Sequence, residues 1–175
     1  HCLSINLLSL LPRRLLVVLG LAASALMLGW LPAHAQQVQW QNLITTALPA
    51  GDYRSVEPVA VAADATGVIV AGNVYGRLPG QTSGGEGNSD LFVRRYDVQG
   101  HILWTRQIAA PDGQFLSAMA ADGSGIYLAA RDLGARNEFV ARLDPVDGRL
   151  LWTRPIAADF RKSLSSIALH PSGIY

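Results

Sequence analysis

The chain has 175 residues, half of them apolar and 15% charged, with 14 Lys+Arg against 13 Asp+Glu. That balance excludes a disordered tail and a polyanion-binding surface, so nucleic acid is not expected as a partner. Seventeen glycines and a basic set that is almost all arginine leave little material for long Ala/Leu/Glu/Lys helices, and an all-β class is expected.

Residues 1–35 read as a signal peptide. Arg13 and Arg14 precede an apolar stretch from Leu15 to Trp30, Pro32 breaks it, and Ala33-His34-Ala35 supplies the small residues of a cleavage site after Ala35. At ~1.5 Å per residue this stretch spans about 24 Å as a helix, short of a ~30 Å hydrocarbon core, so cleavage is favoured over a retained anchor. The twin-arginine match is partial, because Pro12 precedes the pair. Without the leader the charge is −1, with 12 basic and 13 acidic side chains. Cys2 is the only cysteine and precedes the cleavage site. The mature segment is therefore expected to hold no disulfide, thiolate metal site or cysteine nucleophile, and, once cleaved, no membrane contact.

Residues 36–55 are expected to form an N-terminal strand and linker, with Val38 to Leu43 looking like an isolated copy of a Trp-bearing strand seen twice further on. There, Trp104-Thr105-Arg106-Gln107-Ile108-Ala109-Ala110 recurs as Trp152-Thr153-Arg154-Pro155-Ile156-Ala157-Ala158, six identities in seven at an offset of 48. Phe92-Val93-Arg94-Arg95-Tyr96-Asp97 recurs as Phe139-Val140-Ala141-Arg142-Leu143-Asp144, and each copy is followed by a glycine, Gly100 or Gly148. A second marker ends in Gly67, Gly125 and Gly173, and divides the chain into units 56–110, 111–158 and a partial unit 159–175. The first unit is longer by an 11-residue insertion within Gly76 to Asp90, which reads as an extended flexible loop.

Turn signals split each full unit into four short strands. They are expected at 57–63, 68–73, 91–97 and 102–108, then at 115–121, 126–130, 138–144 and 150–156, with 164–169 opening the partial unit. Four strands at a period near 48 fit a β-propeller blade better than a sandwich, because a sandwich does not explain near-identity between units. The expected fold is a partial β-propeller of two complete four-stranded blades with partial blades at both ends, behind a signal-peptide helix. Closed rings use about four to eight blades, so the chain is expected to be a fragment of a longer exported protein. The 140-residue mature segment alone should then aggregate or assemble, and Trp40 should join the last blade of the closed ring.

The pattern Gly87, Asp90, Phe92, Val93, Arg95, Asp97, Gly100 and Trp104 resembles the SBBP repeat of exported bacterial seven-bladed propellers. Leu143, Asp144, Gly148 and Trp152 resemble the related PQQ-like (quinoprotein) repeat. The resemblance covers Val56 to Tyr175 and implies architecture far more than activity. A quinoprotein dehydrogenase would need a catalytic Asp, calcium ligands and usually adjacent cysteines, and the mature segment has no cysteine.

Each candidate for chemistry has a structural alternative that is favoured. Trp40, Trp104 and Trp152 can stack on sugars, yet their equivalent positions favour filling the gap between blades, with each indole N–H bonded to a carbonyl. Asp97 and Asp144 suit acid/base work, yet each precedes a Gly turn whose backbone N–H groups a carboxylate accepts; Asp64 and Asp122 read alike. Gly84 to Asp90 approximates a calcium turn with its aspartate one residue late and occurs once, while the loop lacks the Lys-Ser/Thr of a phosphate cradle. His101 lies in a turn and His170 replaces the Asp of the third turn, so neither has partners for metal or triad chemistry. Arg95 and Arg142 are expected to pair with Asp97 or Asp144.

No catalytic, metal or cofactor-binding residue is assigned, and no cofactor is expected. The residues singled out are structural repeat positions: Trp40, Trp104, Trp152, Asp97, Asp144, Gly100, Gly148, Gly67, Gly125 and Gly173. The expected function is a non-catalytic binding or scaffold module at the cell envelope or outside the cell, offering loops such as Gly76 to Asp90 to a protein or glycan. Two alternatives stay open, the N-terminal part of a PQQ-dependent dehydrogenase and a carbohydrate-active propeller enzyme.

Overall fold

Runs of small and β-branched residues between Asp and Gly turns pack well on a pleated surface, and they fold as antiparallel strands. The computed structural model describes residues 40–46, 55–85, 87–156 and 164–175. The expected leader 1–35, its expected cleavage site and most of the expected linker lie outside the described residues. Among the described residues there is no helix.

The first sheet is a meander of β1 (Val56–Asp64), β2 (Gly67–Tyr75), β3 (Ser89–Asp97) and β4 (Ile102–Ile108), in that spatial order. The second repeats it with β5 (Gln114–Asp122), β6 (Gly125–Asp132), β7 (Asn137–Leu143) and β8 (Leu150–Ile156). All eight expected strands are present within two residues of their expected ends. Even the irregularities recur. The register shifts at Pro58/Ala60 in β1 and at Leu116/Ala118 in β5, then at Arg95/Tyr96 and Arg142/Leu143.

Two expectations at the chain's margins need correction. Of the strand expected over Val38 to Leu43, the first two residues lie outside the described residues and Trp40 to Leu43 belong to no strand; Trp40 packs by its ring on the first sheet, while Leu43 is exposed. The partial unit forms a strand only at β9 (Leu169–His170), paired with β10 (Gly173–Ile174). Ala168 and Tyr175 exchange backbone bonds at 2.7 and 2.9 Å beyond that pair.

The two sheets meet face to face. Ile69, Ala71, Leu91 and Val93 from β2 and β3 pack against Ile126, Leu128, Ala130, Phe139, Ala141 and Leu143 from β6 and β7, all buried. Side-chain alternation places every second residue on this interface. The opposite face of the first sheet buries Val74 and Phe92 with Leu78 of the insertion, and Ile44 of the N-terminal segment packs there too. Both faces of this sheet thus bury apolar side chains, as a sheet covered on two sides requires. Where β1 and β2 lie beside β5, Asn73 Oδ1 accepts the Leu116 N–H at 2.8 Å. That bond satisfies a backbone donor of β5, an edge strand of its sheet.

Candidate functional site

The repeat residues do structural work, and one relation recurs between them. The turn after β7 needs a left-handed residue, and Gly148 takes it with φ of 71°. The ring of Trp104 from the first sheet lies against it, so close that a Cβ on Gly148 would sit 2.6 Å from the indole. Gly100, with φ of 85°, is covered in the same manner by Trp40, whose Cγ would lie 2.6 Å from such a Cβ. Trp40 also meets the Tyr96 ring at 5.3 Å, and Asn42 Nδ2 donates to Gly100 O at 2.7 Å. Each tryptophan thus sits on the glycine turn of the following sheet. Trp152 has no such turn among the described residues; Arg154 stacks on it at 5.0 Å and Tyr127 lies 6.2 Å away. The expected indole bond is not made at Trp104, whose Nε1 is buried without a partner.

The aspartates cap turns. Asp97 Oδ1 accepts the N–H of Gln99 at 2.9 Å and of His101 at 2.8 Å, and its Oδ2 lies 2.9 Å from His101 Nδ1. Asp144 Oδ1 accepts the Val146 N–H at 2.8 Å, while Gly148 N–H returns to Asp144 O at 2.9 Å. Gly67, Gly125 and Gly173 open β2, β6 and β10 directly after the turns of Asp64, Asp122 and His170. His170 fills the aspartate's place, its Nδ1 accepting the Ser172 N–H at 3.2 Å. Arg95 does not pair with Asp97 as expected. It bonds Asp64 Oδ2 at 3.1 Å and Thr66 Oγ1 at 2.6 Å, because its strand position points it across β2 rather than along its own turn. Arg142 likewise bonds the Ser124 carbonyl rather than Asp144.

These caps set a pH response. The Thr66 hydroxyl and then its N–H hold the Asp64 carboxyl below its ordinary value of 3.8, and Ser124 does the same for Asp122. At Asp97 desolvation pushes the carboxyl up, but the bonds from His101 and Gln99 outweigh it, and the net direction is down. A carboxyl lowered on folding contributes stability above its unfolded value, and that contribution is lost as pH falls through the folded one. The melting temperature should therefore drop as the pH is taken below 3.8. In the Asp64→Asn, Asp122→Asn double variant, which keeps an acceptor oxygen but no charge, the drop should be shallower. An equal drop in both proteins would show that the turn bonds do not distinguish the two protonation states.

The feature that breaks the repeat is the insertion, and it is pinned rather than loose. Asp90 is fully buried. Its Oδ1 accepts the Ala110 N–H at 3.0 Å, and its Oδ2 accepts Gly84 N–H at 3.0 Å and Gln107 Nε2 at 2.7 Å. Gln107 Nε2 also donates to Gly76 O at 2.7 Å, while its Oε1 accepts the Leu78 N–H at 2.9 Å. The Gln107 backbone N–H donates to Gln81 Oε1 at 3.1 Å. Leu78 is buried against Val74 and Phe92, and Asn88 Nδ2 bonds Pro111 O. The Asp90 oxygens are thus committed to N–H donors, which gives them a structural use in place of the calcium turn weighed from sequence.

Gln107 and Asn73 were not singled out from sequence, although Gln107 carries a readable signal. It is the only mismatch in the seven-residue repeat, where the second unit has Pro155. Proline has no N–H to offer on an outer strand and protects that edge. Glutamine stands in the unit with the insertion, which its amide and N–H hold. The exposed tip is left to Arg77, Pro79, Gly80 and Thr82. No cluster of three His, Cys, Asp or Glu suited to a metal occurs among the described residues. No protein-family model matches the chain, and no curated protein matches it.

Proposed function

We propose that these sheets are successive blades of an exported β-propeller of the SBBP type, related to PQQ-like repeats, and that it works as a non-catalytic binding or scaffold module at the cell envelope or outside the cell. The repeated Trp-on-Gly relation between one sheet and the next, and the inner strands β1 and β5 side by side, support stacking in series. The leader supports export. What carries the functional reading is the insertion. The tryptophans, turn aspartates and turn glycines recur at repeat positions with a structural use, whereas Gly76 to Asp90 and its anchor Gln107 belong to one unit alone. A loop held on a rigid sheet and presenting Arg77, Pro79 and Thr82 suits recognition of a protein or glycan.

The reading is tested on the protein as secreted. The mature N-terminus should be Gln36, and the protein should be retained on a glycan array or on an isolated envelope fraction. The Arg77→Ala, Thr82→Ala double variant should melt like the parent and lose that retention. Dye-linked alcohol or sugar oxidation that depends on added PQQ and Ca²⁺ would overturn the proposal, as would retention indifferent to the two substitutions.

A further inference from the structure

The third turn keeps the shape of the two before it and changes the acceptor. Asp122 Oδ1 accepts the Ser124 N–H at 2.8 Å, the Ser124 hydroxyl at 2.6 Å and the Gly125 N–H at 3.1 Å, and among the described residues no donor reaches its Oδ2. In the third turn His170 Nδ1 accepts the Ser172 N–H at 3.2 Å and lies 2.7 Å from Ser172 Oγ. That hydroxyl lies 2.8 Å from Tyr175 OH, as Ser124 Oγ lies 3.1 Å from Tyr127 OH. Histidine in the aspartate's place alters what a proton does. A carboxylate still accepts in mildly acid water, whereas an imidazole has one acceptor lone pair and loses it on charging, between about pH 5 and 8. The Ser172 hydroxyl can turn round and accept from an imidazolium, but its backbone N–H cannot, and two N–H groups are left facing each other. His170 and Asp122 both line a groove of about 830 Å³ between the β9–β10 hairpin and the second sheet, together with Ser124, Tyr127 and Pro171.

We infer that His170 is a pH-operated clasp: neutral, it caps its own turn, and protonated, it leaves the Ser172 N–H for the free Oδ2 of Asp122, drawing the β9–β10 hairpin toward the β5–β6 turn across the groove. Asp122 is ready to receive it, because the Ser124 hydroxyl and N–H hold its carboxyl below 3.8 and keep it ionised in mildly acid water. His101 shows the partner that an imidazole takes elsewhere in this fold, an aspartate oxygen 2.9 Å from its Nδ1. The other polar groups beside the groove are engaged. Arg142 lies over the Tyr127 ring and acts on Asp122, but its Nη2 donates to the Ser124 carbonyl, and the Tyr127 and Tyr175 hydroxyls are each bonded to a serine. His170 and Asp122 are both exposed, and exposed ion pairs are weak, so the movement reverses when the pH returns. The two aspartate turns keep their caps through the same change, and only the third responds.

The clasp goes beyond the binding-module proposal and does not rest on it. The secreted protein, isotope-labelled, is followed residue by residue by NMR between about pH 7.5 and about pH 5.5. On acidification the Ser172 amide should lose about fivefold or more of its protection against exchange, after correction for the intrinsic rate, while the Ser124 and Thr66 amides keep theirs. Cross-relaxation between the His170 ring and the Asp122 β protons should appear in acid and vanish on return. Asp122→Asn, which keeps the turn's acceptor oxygen and removes the charge, should lower the midpoint of the His170 ring titration by about half a unit and abolish that cross-relaxation. His170→Asp, which restores the repeat, should make the third turn as indifferent to this pH range as the other two. A Ser172 amide unmoved by acid, the same loss in His170→Asp, or a His170 midpoint unchanged by Asp122→Asn would each overturn the inference. Retention on an envelope fraction or a glycan array is a separate readout, and its loss leaves these signals as they are.

Discussion

Gly148→Ala should destabilise the chain by about 3 kcal/mol, read from the shift in a denaturant melt at constant slope. Two terms add. Holding an L-residue in the left-handed region costs about 1–2 kcal/mol. The new methyl must also displace the Trp104 ring, which would lie 2.6 Å from it, and the Arg106 Cγ at 2.8 Å. Overpacking of that kind costs about 1–3 kcal/mol. Gly80 separates the two terms, since its φ of 73° nearly equals the 71° of Gly148 while a Cβ there would meet nothing within 4 Å. Gly80→Ala should therefore lose only about 1–2 kcal/mol. Equal losses at the two glycines would mean that the tryptophan yields at no cost, and the interlock between sheets would then contribute nothing to stability.

The second large effect is expected at Asp90→Ala, a loss of about 4 kcal/mol. Its carboxylate takes three N–H donors, and truncation strands the Ala110 N–H in a buried site along with the Gly84 N–H and the Gln107 amide. Each stranded donor costs about 1–3 kcal/mol, and part of that is recovered where water reaches the half-buried pair. The damage should be local as well as global, because the same bonds hold the insertion. Limited proteolysis should cut between Gly76 and Gly87 well before the sheets in this variant, and not in the parent. Asp90→Asn, which keeps one acceptor oxygen, should fall between the two. A parent loop cleaved as fast as the variant's would show that the Asp90 and Gln107 bonds do not restrain it.

Strand positions were legible because the chemistry that makes them is local. Alternation of small and β-branched residues, punctuated by Asp and Gly, set all eight strands to within two residues. Internal near-identity then fixed which strands are equivalent, a comparison that a single sequence can make against itself. The turn aspartates were legible for the same reason, whereas the indole bond expected at Trp104 is not made. What was misread or missed involves partners far along the chain. Arg95 reaches Asp64, 31 residues away, and Asn73 reaches Leu116, 43 away. No periodicity reports such a bond. The glycine-rich insertion reads as loose by composition, yet one buried leucine and two side-chain amides hold it in place.

By itself, then, the order of residues determined the class, the four-strand unit, the place of each turn and the one segment that breaks the repeat. Each of these follows from backbone preferences and side-chain alternation within a few residues. Tertiary structure alone decided that Trp40 lies on a glycine turn 60 positions later, that Gln107 replaces proline to anchor the insertion, and that Arg95 and Arg106 reach carbonyls of the neighbouring sheet's turn. These contacts join groups distant in sequence. They exist only once one sheet is packed on the next, because packing brings a donor, an acceptor or a missing Cβ into reach.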